Sequence, residues 1–186
     1  MPLTKDQIND VFWEATVRIL GLDPDSGEAA VHRRVRKSWP KNDIGNSDWG
    51  REENVVFLRI TPTGDEYTKV WDISHEETEG GTLQEVVRYH RCYSIQWVCY
   101  GPDAGEDADA IRIGILTEEL RAFLRKYGLA VLTGTPEPIR SPEPDESGDW
   151  WERSDLTALC YELAERRYSE GNIEQAPHVT IQTQEE

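Results

Sequence analysis

Residues 93–116, YSIQWVCYGPDAGEDADAIRIGIL, hold a strand, a break and a helix in 24 positions. Tyr93, Ile95, Trp97 and Cys99 fall on one face at period two, with Ser94 and Gln96 on the other. The alternation continues upstream, with Val87 and Tyr89 set against Arg88 and His90. That is the pattern of a half-buried strand. Gly101-Pro102 stops it. Asp103 then stands where a helix cap belongs, and Glu106 follows three residues later to close a capping box. Ala108, Ile111, Ile115, Leu120 and Phe123 or Leu124 supply a buried stripe, so one helix is expected over 103–127, closed by Gly128.

Working outward, residues 4–20 form a helix. Thr4 and Gln7 make its capping box, and Ile8, Val11, Phe12, Ala15, Ile19 and Leu20 share a face before Gly21 ends it. Residues 29–39, AAVHRRVRKSW, read as an exposed strand or extended arm, and 40–54 as a loop. Residues 55–61 carry apolar groups on both faces, as a central strand does. A turn at 62–65 leads to a returning strand at 66–74 with Tyr67, Val70 and Trp71, then an acidic, Gly-rich tip at 75–82. Residues 83–100 are one long strand or a bulged pair, and 129–133 a short buried strand. Four prolines mark 134–149 as a loop. In 154–167, SDLTALCYELAERR, Leu156, Leu159, Cys160 and Leu163 sit at helical spacing behind Ser154 as a cap. The sum is one α+β domain spanning 1–186: a mostly antiparallel β-sheet with two α-helices packed on one face and long loops at 40–54 and 134–149.

Thirty-six acidic against 20 basic residues leave a net charge of −16. That balance disfavours gripping a nucleic-acid backbone, which needs Lys and Arg, or binding an anionic membrane. It suits solubility, or the wall of a channel that repels DNA in transit. No apolar run approaches the ~18 residues of a membrane helix, and the polar start MPLTKDQIND is neither a secretory signal nor a transit peptide. Cys92, Cys99 and Cys160 are odd in number and read as small buried side chains rather than a disulfide framework. Seven tryptophans against one methionine imply rigid anchors.

The four histidines form no HExxH pattern, and no Cys-x-x-Cys occurs. His90 and Cys92 share a strand face, but no further ligand is visible in sequence, and we read the pair as structural. Asp103, Glu106, Asp107 and Asp109 lack the spacing of a calcium loop and are expected at a helix start because of its dipole. Neither a nucleophile elbow nor a phosphate-cradling loop is present, so no enzyme, cofactor or metal is expected. Arg33, Arg34, Arg36 and Lys37 make a basic patch in an acidic chain. It serves contact between neighbouring copies, a solvated strand with Val31 and Val35 facing in, or nucleic-acid contact. We favour the first, with Glu76, Glu77 and Glu79 as the acidic counterpart. Of Trp150 and Trp151, one is expected buried and one half-buried, and Arg153 is placed to meet a carboxylate.

YGPDA at 100–104, WWERSDL at 150–156 and GNIEQAPHVTI at 171–181, in that order and spacing, resemble the bacteriophage neck and tail-terminator family over roughly 55–181. The residues carrying the likeness include Gly101, Pro102, Asp103, Glu106, Trp151 and Arg153. The resemblance implies a tail-terminator-like fold and a closed, six-fold ring that ends the tail tube and meets the head connector. The implied partners are the chain itself, the tail tube protein and the head connector proteins. DNA would pass through the channel without specific binding, no membrane would be involved, and the ring would reside in the virion after assembly in the host cytoplasm. The resemblance also implies that 154–167 is a strand paired with 173–183 around Gly171-Asn172, against the helical periodicity, and strand is the expectation adopted. A rival of a different class is an acidic DNA mimic that occupies a host nucleic-acid-binding protein. Charge supports it, whereas scattered acids and many buried-type strands oppose it.

Overall fold

The computed structural model describes residues 2–27, 29–37, 49–132, 134, 137–144, 148 and 150–169. Helix α1 (Lys5–Ile19) starts on a capping box: Gln7 N–H donates to Thr4 Oγ1 (3.2 Å) and Thr4 N–H to Gln7 Oε1 (2.8 Å). Its buried face carries Ile8, Val11, Phe12 and Ala15. Gly21 turns the chain with φ +72°.

The stretch expected to be extended at 29–39 is instead a short helix, α2 (Ala29–Arg34), followed by β1 (Val35–Arg36). Val31 and Val35 still face inward, because residues four apart share a helix face as readily as a strand face. Residues 38–48 lie outside the described set, and with them most of the expected loop.

Strand β2 (Val55–Thr63) takes in Pro62 and Thr63, which the sequence reading placed in a turn. The strand expected at 66–74 opens as a 3-10 turn at Tyr67–Lys69, held by Thr68 N–H donating to Asp65 Oδ1 (3.0 Å). Only then does β3 (Trp71–Glu77) begin, so the acidic tip shrinks to 78–82. Strand β4 (Leu83–Tyr100) is one unbroken run of 18 residues.

The single helix expected over 103–127 is two: α3 (Ala104–Gly114) and α4 (Glu118–Arg125). The break falls where Gly114 passes so close to α1 that an added Cβ would stand 2.6 Å from Ile19. Thr117 then caps α4, its Oγ1 accepting from Leu120 N–H (3.5 Å), as a residue favoured at caps over helix interiors does. Next come β5 (Leu129–Val131), β6 (Ile139–Arg140), β7 (Glu143–Pro144), β8 (Trp150–Trp151) and β9 (Arg153–Ser169). Two short strands thus lie inside the 134–149 loop.

Residues 154–167 lie in β9, as the resemblance implied. Leu156 and Cys160 are four apart, a spacing that satisfies both periods. The neighbours decide: Ser154, Ala158, Glu162 and Ala164 are buried with them, while Leu159 and Leu163 point to the other face, 39% and 54% exposed. Strand β9 pairs antiparallel with β4 along its whole length, with β5 and β6 on its other side. Residues 173–183, its expected partner, lie outside the described residues.

Among the described residues the main sheet has seven strands in the order β1-β2-β4-β9-β5, with β3 on β4 and β6 on β9. Only β1–β2 is parallel. The helices cover one face. There Trp97 packs edge-on to Phe12 and donates from Nε1 to Thr16 Oγ1 (2.9 Å), tying the central strand to α1. On the opposite face Trp49, Val55, Phe57, Val98, Tyr100 and Trp151 form a smaller cluster. All three cysteines are buried and free. No helix among these residues is long and apolar enough to cross a membrane.

Candidate assembly surface

The YGPDA junction is a lock between three segments. Gly101 has φ +112°, and a Cβ there would stand 2.6 Å from Glu53 O and 2.5 Å from Asn54 Oδ1, so only glycine fits. Gly101 N–H donates to Glu152 O (3.1 Å). The expected capping box is absent. Asp103 adopts φ −101°, ψ 23°, not the extended conformation of a capping residue, and its carboxylate instead accepts from Asn54 Nδ2 (2.8 Å) while its N–H donates to Asn54 Oδ1 (3.0 Å). Glu106 is exposed, and Asp107 is buried against Arg34. Arg153 meets two carboxylates, Asp155 through two bonds of 2.8 Å and Glu143 through one. Trp151 is buried, but Trp150 is 64% exposed rather than half-buried, because it belongs to a two-residue strand with cover on one side alone.

The basic patch is largely engaged within the protomer. Arg34 Nη2 reaches both oxygens of Asp107, the Arg36 guanidinium lies 5.3 Å from the Trp49 ring, and Lys37 pairs with Asp10 and lies over Trp13 (4.9 Å). Arg33 is exposed. Among the acids, Glu76 accepts from Arg88 (2.7 Å) and Arg167 (2.9 Å), which holds its carboxyl below the usual range. Glu77 and Glu79 are exposed. The structure does not bring the two groups together. Val35 lies beside Val56, opposite Cys99, whereas Glu76 lies opposite Gln84, so about 50 Å of extended strand separates them. Contact between them is therefore possible only between copies.

Sequence reasoning missed the half of the sheet that outruns the helices. Strand β4 extends about 60 Å at strand rise, while α1 spans about 22 Å at helical rise. The cluster buried under the helices reaches along β4 from Tyr93 to Cys99. Beyond it, residues 83–91 of β4, 163–169 of β9 and all of β3 make a three-stranded arm. One face of the arm is a charge ladder: Arg88 donates to Glu76, Glu165 and Ser74, and Arg167 to Glu76 and Glu165. The other face carries Trp71 (65% exposed), Ile73 (55%) and Tyr89, with the rings of Trp71 and Tyr89 6.1 Å apart. The legible signal was length: alternation continues through 83–91, and among the described residues no helix covers it.

At the arm's root, Glu162 is 2% exposed and gathers Arg91 Nε (2.8 Å), Tyr93 Oη (3.1 Å) and Leu3 N–H (2.7 Å). On the sheet face away from the helices, an open apolar groove of 380 Å³ is lined by Tyr67, His90, Ala130, Leu132, Tyr161 and Leu163. His90 lies against the Tyr67 ring (4.7 Å) and Cys92 is buried. No group of three metal-ligating side chains converges among the described residues.

A family model described as a phage neck terminator protein matches residues 6–186. The match begins in α1, well before the 55–181 over which the motifs carry a likeness. No curated protein matches the chain.

Proposed function

Because the chain belongs to the phage neck terminator family, we propose that its protomers close into a ring, six-fold as in the likeness noted above. One face caps the last ring of the tail tube and the other docks on the head connector. As a neck component the chain works among other virion proteins, and its work is assembly rather than catalysis. The observation that carries this reading is a family match spanning nearly the whole chain rather than one motif. The net charge of −16 adds support, since an acidic channel wall lets DNA pass without holding it.

Ring closure requires heterologous side-to-side contacts that return to their start. Exposed Arg33 on one flank and exposed Glu77 and Glu79 on another are the charges open to such a contact. The Pro-rich 136–144 loop is the candidate for contact along the tail axis, and the 69% exposure of Ile139 within it supports that reading. Light-scattering mass and electron microscopy of the purified protein, alone and with open-ended tail tubes, test the reading. Rings, free or on tube ends, are the expected result. A monomer or dimer that ignores tube ends and retains a basic host protein overturns it in favour of the DNA-mimic alternative.

A further inference from the structure

We propose that the face of the arm left uncovered among the described residues, centred on Trp71 and Ile73, docks into the apolar groove on the opposite sheet face of a second copy. The inference rests on the ring reading and names the contact that closes it.

The patch is concentrated in two adjacent cross-strand rows, bordered by Arg166 and by the His75–Glu85 pair. Cross-strand pairing sets Trp71 beside Tyr89 and Ile73 beside Val87, and Leu83 (39% exposed) and Tyr168 (48%) extend the surface past Glu85. At these exposures it amounts to about 400 Å² of side-chain surface, the size of the largest apolar patch on a typical soluble monomer, which is often functional. That is roughly half of what one partner contributes to a standard interface, enough for the centre of a contact with a polar rim around it.

Charge points to a second copy as the occupant. The arm holds five acids (Asp72, Glu76, Glu77, Glu85, Glu165) and four bases (Arg88, Arg91, Arg166, Arg167), a balance of −1 in a chain of −16. Copies therefore repel each other elsewhere and least at the arm. The edge adds to this. Among the described residues β3 pairs with β4 alone, and a seven-residue edge strand with exposed Trp71 and Ile73 is an aggregation hazard unless the working assembly covers it.

The receiving surface lies on the same molecule. The groove presents Leu163, 54% exposed, and Tyr67, 57% exposed, on the sheet face away from the helices. Two different apolar surfaces on opposite faces of one sheet make the contact heterologous, the type that propagates from copy to copy until it closes.

Complementation between two variants tests this. Trp71→Glu breaks the arm and Leu163→Glu breaks the groove. Both side chains are exposed, so an unchanged circular-dichroism melt verifies folding, and Trp71→Lys repeats the arm test with the opposite charge. Wild type is expected as rings, free or on tube ends. Each variant alone is expected to fall to monomer, and an equimolar mixture of Trp71→Glu and Leu163→Glu to give a 1:1 pair, because one intact arm meets one intact groove. Wild-type rings with rings from every variant overturn the arm contact and leave the ring reading standing. Variant monomers that never pair on mixing overturn the arm-to-groove match. Variants that form rings but fail to cap tubes assign the patch to the tube protein and also overturn the proposal. A wild type that forms no ring in either condition overturns the ring reading itself.

Discussion

Arg34 Nη2 stands 2.6 Å from both carboxylate oxygens of Asp107, joining α2 to α3 across 73 positions of chain. One member of the basic patch expected to meet a neighbouring copy is thus committed within its own protomer. Arg33, one residue earlier, is exposed.

Arg34→Ala is expected to cost about 2–4 kcal/mol, because it leaves Asp107 buried without its partner. Arg33→Glu should stay within about 0.5 kcal/mol, as surface changes usually do. Denaturant midpoints of the two variants check the contrast. A charge-reversal test of the basic patch as an interface should therefore use Arg33.

Glu162 organises the arm's root by accepting from Arg91, Tyr93 and Leu3 at 2% exposure. Glu162→Ala should destabilise by about 3–5 kcal/mol, as breaking a buried charged pair does. Hydrogen exchange at the first turn of α1 should accelerate with it, since Leu3 loses its anchor. Glu162→Gln keeps one acceptor and should recover part of the loss.

Gly101→Ala meets two obstacles, a positive φ and a Cβ 2.6 Å from the Glu53 carbonyl. The backbone there cannot yield without breaking the Gly101–Glu152 hydrogen bond. A loss of at least about 2 kcal/mol is expected, read from thermal or denaturant unfolding.

Arginines hold the carboxyls of both Glu76 and Glu165 below their ordinary range: Arg88 and Arg167 act on Glu76, Arg167 and Arg88 on Glu165. A depressed native pKa means that the stabilisation is complete above the ordinary carboxylate value, about 4.3, and is lost as pH falls through the lower native values. Exchange protection of the β3 amides, corrected for intrinsic rates, should hold from pH 7 to 5 and fall at lower pH. The core amides of Trp97 and Leu156 should keep theirs longer.

Burial raises the thiols of Cys92 and Cys99 and pushes that of Cys160 up to about 12. Since the thiolate is the reactive form, maleimide labelling at pH 8 should be slow at all three positions in the native protein. In denaturant all three should label quickly.

Much of the scaffold was legible because it rests on local periodicity. The Thr4–Gln7 box, the alternation along β4 and the two-faced apolar content of Val55–Ile60 all survive in the structure. Two of the signals that failed share a cause, a side chain with two available partners. Asp103 had the position of a cap but turned to Asn54, 49 residues away. Asp107 looked like a dipole-favoured surface acid but paired with Arg34. In β9, a spacing of four was shared by helix and strand, and resemblance broke a tie that periodicity alone had tipped the wrong way.

By itself the sequence determined the first helix, the long alternating strand at 83–100 and the two-faced strand from residue 55, that no thiol framework was intended, and that the molecule would be acidic. Those properties follow from side-chain period, count and charge along a chain, with no need of knowing what lies opposite. Only the tertiary structure decided which charges are spent internally and which stay exposed, and that half of the longest strand pair runs out from under its helices. Such outcomes depend on distances between residues far apart in the chain and on the mismatch between strand rise and helix rise, and neither is written in any local window of residues.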